Sequence, residues 1–324
     1  MEKTKVYFNH DGGVDDLASL FLLLNMDEVE LVGVSVIPAD CYLEPAVSAS
    51  RKIIDRFGKG IDLNVSASNS RGINPFPKEW RMHAFYVDAL PILNESNQVN
   101  TPMSERTAHL HLIDVLESSS DPITLLFTGP LTDLARALEV APAIEQKIEK
   151  LVWMGGTFLG AGNVEEPEHD GTAEWNAFWD PEAVATVFDT LITIEMVALE
   201  STNQVPLTND IRNMWAAQRK EIGVDFIGQC YAMCPPLVHV ETNSTYYLWD
   251  VLTTVSVTPQ SFIHSRKVNC RVEKDGVSQG RTVLDKTGRE VIVVDDVDRD
   301  LFFQYFTSVM LLAEDGLEAP QLYL

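Results

Sequence analysis

Eight residues near the start of the chain, Asn9-His10-Asp11-Gly12-Gly13-Val14-Asp15-Asp16, carry three carboxylates and two adjacent glycines. Carboxylates this close repel one another unless a cation sits among them. The glycines let the backbone turn tightly enough to converge oxygens on one point. An oxygen-only donor set selects hard cations such as calcium or magnesium over zinc. The plainer reading is a solvated turn, with Asp15 capping a helix and Asp16 favoured by the helix dipole. Three acids and two glycines directly after a buried apolar run favour the metal site.

The flanking pattern supplies elements to hold that turn. Val6-Tyr7-Phe8 reads as a strand, and Asp15 to Met26 as a helix with Leu17, Leu20, Phe21 and Leu24 on one face. Strands are expected at 31–37, 63–65, 123–127, 151–154 and 191–197. Helices are expected at 44–57, at 104–117 with Ser104 as N-cap, at 131–140 and at 181–188. Such alternation predicts an α/β fold with a mostly parallel central sheet flanked by helices. In such sheets ligands bind at the carboxyl ends of the strands, where the acidic turn sits. The last third differs. A helical stretch over 209–233, broken or continuous, is followed by short strands at 267–272, 281–284 and 291–294, a small antiparallel addition, and a closing helix at 298–313. Two long unpatterned stretches, 66–100 and 155–180, read as functional loops, the first as a lid.

A content of 45% hydrophobic and 22% charged residues is ordinary globular usage, and residues 1–324 are expected to form a single domain. The formal net charge of −24 makes nucleic acid and anionic membranes poor partners, and favours a small neutral substrate or one held through a cation. No segment approaches the ~18 apolar residues of a membrane helix, and no signal-peptide pattern is seen, so a cytoplasmic protein is expected. Cys230 and Cys234 are spaced as two core thiols on one helix face, not as a zinc clip.

Further motifs carry a family resemblance. The acidic turn resembles the D-x-D-P-G-x-D-D signature of the nucleoside hydrolases. Thr128-Gly129-Pro130-Leu131-Thr132-Asp133 resembles the family's T-G-P-L-T-N segment, and Val152-Trp153-Met154-Gly155-Gly156 its V-x-M-G-G strand end. Gly162-Asn163, Glu174-Trp175-Asn176 and Asp180-Pro181 follow in the family order, so the resemblance spans about residues 5 to 305. Ala39-Asp40-Cys41, Asn74 to Trp80, Asp170 to Asn176 and Tyr247-Leu248-Trp249-Asp250 resemble the purine-preferring, inosine-adenosine-guanosine branch. There Trp249 stands where the inosine-uridine branch usually has a histidine.

The resemblance implies hydrolysis of the N-glycosidic bond of ribonucleosides, purine ones by subgroup, in the service of purine salvage. It implies Ca2+ held by Asp11, Asp16, the Thr128 carbonyl and Asp250, with a metal-bound water as nucleophile and Asp11 as general base. Asp15, Asn163, Glu174 and Asn176 would hold the ribose hydroxyls, with Met154 packing under the sugar. Trp80 and Trp249 would sandwich the base, and Asp40 would contact it or relay a proton. A homo-oligomer is implied, a dimer before a tetramer. Trp153, Trp179 and Trp215 read as packing residues. His10 and His83 lie near the site, but single histidines are more often structural.

Two departures stand out. Asn9 replaces the family's first aspartate, which lowers the site's charge by one while keeping hydrogen bonding, and Gly12 replaces the common proline. A phosphatase of the haloacid-dehalogenase type needs an aspartate nucleophile where Asn9 stands. Two alternatives of another class are a catalytically impaired nucleoside- or metal-binding homologue, for which Asn9 is the best support, and a structural calcium site in a protein of unrelated function, which would not require the ribose-binding set far away in sequence.

Overall fold

The computed structural model describes residues 3–232 and 246–316. Nine strands form one sheet: β1 (Thr4–His10), β2 (Val29–Val36), β3 (Val65–Ala67), β4 (Ile123–Phe127), β5 (Ile148–Met154), β6 (Ile194–Val197), β7 (Ile263–Val272), β8 (Thr282–Leu284) and β9 (Arg289–Val297). Their order is β3-β2-β1-β4-β5-β6-β9-β7-β8. All pairings from β3 across to β9 are parallel, and β7 pairs antiparallel with both β9 and β8. The expected α/β fold with a C-terminal antiparallel addition is what the chain adopts. The addition continues the main sheet, because β9 joins β6 in parallel.

Strand β1 shows how the sheet is buried on both faces. Val6 and Phe8 pack into one core, with the helices Val14–Asn25 and Leu43–Phe57, while Tyr7 packs into the other, with Ala108–Ser118 and Thr132–Val140. Burial on both faces explains the continuous apolar reading of these strands. Helix Val14–Asn25 is buried on nearly every side, with Leu24 its one partly exposed residue. It lies against the helices Leu43–Phe57, Trp249–Val255 and Arg299–Leu312, which is why its sequence is apolar beyond one stripe.

Strand order reverses between β1 and β4, whose neighbours lead off in opposite directions. A crevice opens at the carboxyl ends of the strands at such a switch point. The acidic turn follows β1 and Thr128 follows β4, so both line that crevice.

Several local expectations differ from the structure. The helix expected from 104 begins at Ala108, with Thr107 at the N-cap position. Ser104 is tied to the sheet through its N–H to the Val65 carbonyl, and its hydroxyl accepts from the Arg106 N–H, so the helix cannot start there. The stretch 66–100 is not structureless: it contains the helices His83–Asp88 and Pro91–Asn94. Likewise 155–180 ends in the helix Trp175–Trp179. The strand expected at 63–65 is Val65–Ala67. The helical stretch from 209 is broken into Asn209–Ala217 and Ile222–Ala232; its expected end at Met233, and Cys234, lie outside the described residues. No helix among the described residues is long and apolar enough to cross a membrane.

Candidate active site

The acidic turn owes its shape to Gly12, at φ +87°, where a Cβ would lie 2.4 Å from the Ala46 Cβ. The turn then enters helix Val14–Asn25 with Gly13, not Asp15, at the N-cap position. The Gly13 N–H donates to Asp16 Oδ2 at 2.7 Å, so Asp16 caps its own helix from within. Asp15 is thereby free of capping and turns toward the far end of the chain. The Tyr246 hydroxyl donates to Asp15 Oδ1 at 2.9 Å, and the Asp250 N–H to Oδ2 at 3.2 Å.

Four carboxyls gather here. Asp11 and Asp16 touch each other, as do Asp15 and Asp250, and each of the four is at most 6% exposed. Asp11 Oδ2 accepts from the Asp40 N–H at 3.1 Å, and the Thr128 hydroxyl donates to Asp16 Oδ1. Burial, then the charges of Asp16 and Asp40, hold the Asp11 carboxyl well above the usual carboxylate range. Burial, then Asp15 and Asp16, do the same to Asp250. Burial also pushes Asp16 up to about 7. No cationic side chain is among the main influences on these four; Arg81 acts on Asp40 instead.

Such a concentration of buried, uncompensated acid fits a cation. Among the described residues no three His, Cys, Asp or Glu side chains form a ready-made metal cage. That is compatible with calcium, which completes its shell with backbone carbonyls, water and substrate oxygens. The Thr128 carbonyl lies at the same place, held by the Asn176 amide at 2.9 Å.

Above the carboxyls is a cavity of about 430 Å³, within the usual range for small-molecule sites. Asp11, Asp15, Asp16, Asp40, Trp80, Thr128, Met154, Asn163, Glu174, Asn176, Trp249 and Asp250 all line it. Its floor is built from strand ends. Glu174 caps the helix Trp175–Trp179, accepting from the backbone N–H groups of Gly156, Asn176 and Ala177 at 2.8 to 3.1 Å. Burial pushes its carboxyl up to about 7 against the pull of those three donors. The Asn176 amide also reaches the Met154 carbonyl at 3.1 Å. Asn163 is placed by the backbone: its N–H donates to the Ala173 carbonyl at 3.0 Å, and its Oδ1 accepts from the Trp175 N–H at 3.1 Å.

The walls are aromatic and fall into two groups. Trp80 meets Trp175 edge-on at 5.3 Å and Phe76 at 6.3 Å, while Trp249 meets Tyr246 edge-on at 4.6 Å. His83, read from sequence as near the site, lines the cavity, as does Gly162 of the Gly162-Asn163 motif; Phe76, Glu165, Trp175, Tyr246 and Tyr247 also line it and have no site role in the sequence reading. Trp175, Phe76 and Tyr247 stood inside recognised motifs, but an aromatic residue reads equally well as core. His10 is absent from the lining: it stacks on Phe8 at 4.8 Å, contacts the Ser50 hydroxyl at 3.2 Å, and is held neutral by burial.

The loop 155–173 is tied to the C-terminal strands. Thr282 Oγ1 accepts from the Thr157 N–H at 2.9 Å and donates to the Thr157 carbonyl at 2.7 Å. Gln279 accepts from the Asn74 amide at 2.9 Å through its side chain, and its carbonyl contacts His169 Nε2 at 3.0 Å.

A family model described as "Inosine-uridine preferring nucleoside hydrolase" matches residues 6–304. The chain belongs to that family. Family members cleave the N-glycosidic bond of ribonucleosides. This nucleoside hydrolase is 64% identical to the inosine-uridine preferring nucleoside hydrolase of Bacillus anthracis, whose crystal structure superposes with a TM-score of 0.92 over 96% of this chain and 100% of the other. It is 27% identical over 288 residues to a "Probable uridine nucleosidase 2" of Oryza sativa, covering 87% of this chain and 82% of the relative. The purine-preferring ribonucleoside hydrolase of Gardnerella vaginalis, 23% identical, shares the fold with a TM-score of 0.75 over 95% and 98% of the two chains.

Proposed function

We propose that this hydrolase cleaves purine ribonucleosides to free base and ribose with the help of calcium bound at Asp11, Asp16, Asp250 and the Thr128 carbonyl. The observation that carries the reading is one cavity with buried acids at its floor and indoles in its walls, both at the sheet's switch point. When bound, calcium would hold the ribose diol and make a water easier to deprotonate.

The chain's own residues divide the remaining work. Asp11 removes the proton from the attacking water, and the Asp40 N–H fixes the orientation of its carboxyl. Asp15, Asn163, Glu174 and Asn176 accept and donate to the sugar hydroxyls. Glu174 is held by three backbone donors, so its position is set before substrate arrives. Positive charge develops on the ribose as the bond breaks, and the carboxylates around it stabilise that charge.

The departing base must gain a proton. Asp40 lines the cavity, and without a metal, burial, then the charges of Asp16 and Asp15, push its carboxyl up to about 8; it is placed to contact the base or relay that proton. Trp80 and Trp249 belong to separate aromatic clusters, an arrangement suited to gripping a flat ring between them. The reading extends to one functional unit over the whole chain and to a dimer in solution.

The test is release of free ribose from inosine, guanosine, adenosine, uridine and cytidine, with and without a chelator. Absence of ribose from every nucleoside at high protein concentration would leave a nucleoside- or metal-binding homologue, the reading that Asn9 favours. A second reading, preference for uridine, takes its support from the uridine nucleosidase relative. Faster hydrolysis of uridine than of inosine would establish it.

A further inference from the structure

Beneath the acidic turn lies a polar cluster that the proposed chemistry does not use. The Asn9 amide nitrogen donates to Ser35 Oγ at 2.8 Å and to Asp133 Oδ2 at 3.2 Å. Asp133 Oδ1 accepts from the hydroxyls of Ser68 at 2.8 Å and Ser70 at 2.6 Å. Asn9 and Asp133 are both buried. The cluster joins β1, β2, the segment after β3 and the helix Thr132–Val140. Through its backbone, Asn9 also fixes Thr128, whose N–H donates to the Asn9 carbonyl at 3.1 Å.

The direct donors to this buried carboxylate are neutral, and Arg136 acts on it from behind Ser70, donating to Ser70 Oγ at 2.6 Å; a carboxylate is a costly way to fill a core. The geometry allows just one charge across the contact between residues 9 and 133. Two carboxylates that close could not both ionise. Two amides would fail differently: Asp133 uses one oxygen toward Asn9 and the other toward two hydroxyls, and an amide offers an acceptor on one side only. With Asn at position 9 and Asp at position 133, the contact holds one amide and one acid.

We propose that Asn9 and Asp133 form one acid–amide pair, and that Asp133 is a positioning residue that sets the acidic turn against Thr128 for cation binding. The proposal rests on the calcium reading of the site. Asp133 is not among the residues that line the cavity; it acts through Asn9, two residues before Asp11.

The test is a double-mutant cycle with Asn9→Asp, Asp133→Asn and the pair together, read by calorimetric calcium titration, by the calcium-induced rise in Tm and by ribose release. Each single substitution is expected to weaken calcium binding by about ten-fold or more, and the exchanged pair to return within about three-fold of the starting chain. Ser68→Ala removes one donor to Asp133 with less risk to folding and is expected to weaken calcium binding by about two- to five-fold. Additive losses in the double variant would overturn the pairing. Unchanged calcium affinity in both Asp133→Asn and Ser68→Ala, with only Tm lowered, would overturn the positioning role. A starting chain with no calcium response would defeat the calcium reading itself, and would do so before any variant is compared.

Discussion

Tyr246 donates its hydroxyl to Asp15 at 2.9 Å, joining two residues 231 positions apart in the chain. The bond orders a carboxylate that is proposed to grip ribose. Tyr246→Phe removes the donor and keeps the ring that packs on Trp249. A typical loss of about 0.5–1.5 kcal/mol corresponds to a two- to ten-fold fall in kcat/KM, expected mainly in KM. Steady-state kinetics on the best nucleoside would check it, and an unchanged KM would remove Tyr246 from sugar binding.

Removal of calcium should abolish ribose release and lower Tm. At a hundred-fold excess over Kd, ligand binding adds about 2.7 kcal/mol of stability. Thermal denaturation with chelator, then with calcium restored, tests this. Magnesium serving equally well in both assays would reject calcium as the specific cation.

The pH dependence of the chelated protein has a definite sign. Burial pushes Asp16 and Glu174 up to about 7 and Asp40 up to about 8. A carboxyl with a raised folded-state pKa binds its proton more tightly folded than unfolded. This contribution to stability is complete below about pH 4 and is lost as pH rises through 7 to 8. Tm without calcium should therefore fall between pH 5 and 8, and calcium should recover most at the upper end, since a dication favours the ionised acids. A chelated protein whose Tm climbs over that range would contradict the buried, uncompensated state of these groups.

Alanine at Trp80 or Trp249 should cost purines more than pyrimidines, because the larger ring loses more stacking. A loss of about 1–3 kcal/mol per stacked base predicts a fall of roughly five- to 150-fold in kcat/KM for inosine. Competition between inosine and uridine in one reaction would read the difference directly. Equal losses for both would show that the indoles do not select the base.

Gly12 tests the backbone of the turn. Alanine would have to adopt φ +87° with its Cβ 2.4 Å from that of Ala46 and 3.3 Å from that of Cys41. Strain and overpacking together cost about 2–6 kcal/mol. Proline, the family's residue here, is locked near φ −65° and would demand a different turn. Both variants should lower Tm and weaken the calcium response; a Tm equal to that of the starting chain would refute the strain.

Much of this was legible in the sequence for physical reasons. Val6-Tyr7-Phe8 is apolar on both sides because both faces of β1 are covered. The helix Pro181–Phe188 was bounded correctly because Pro181 follows Asp180, whose side chain accepts from the Ala183 N–H. The convergence of Asp11 and Asp250 was legible through family motifs alone, since no local rule links residues so far apart. Ser104 misled because its side chain serves a turn in place of a helix end. Trp175 and Tyr246 escaped notice because an aromatic side chain in a wall and one in a core look alike until its neighbours are known.

The contact of Thr282 with Thr157 has a reach beyond the outer strands. Thr157 follows Gly156, whose N–H holds Glu174. Thr282 begins β8 at the rim of the sheet, and Gln279, three residues earlier, touches both long loops. The rim hairpin is therefore joined by hydrogen bonds to the loop that holds Glu174 in the cavity lining. Removing the Thr282 hydroxyl is expected to loosen the hold on Glu174 without any change inside the cavity.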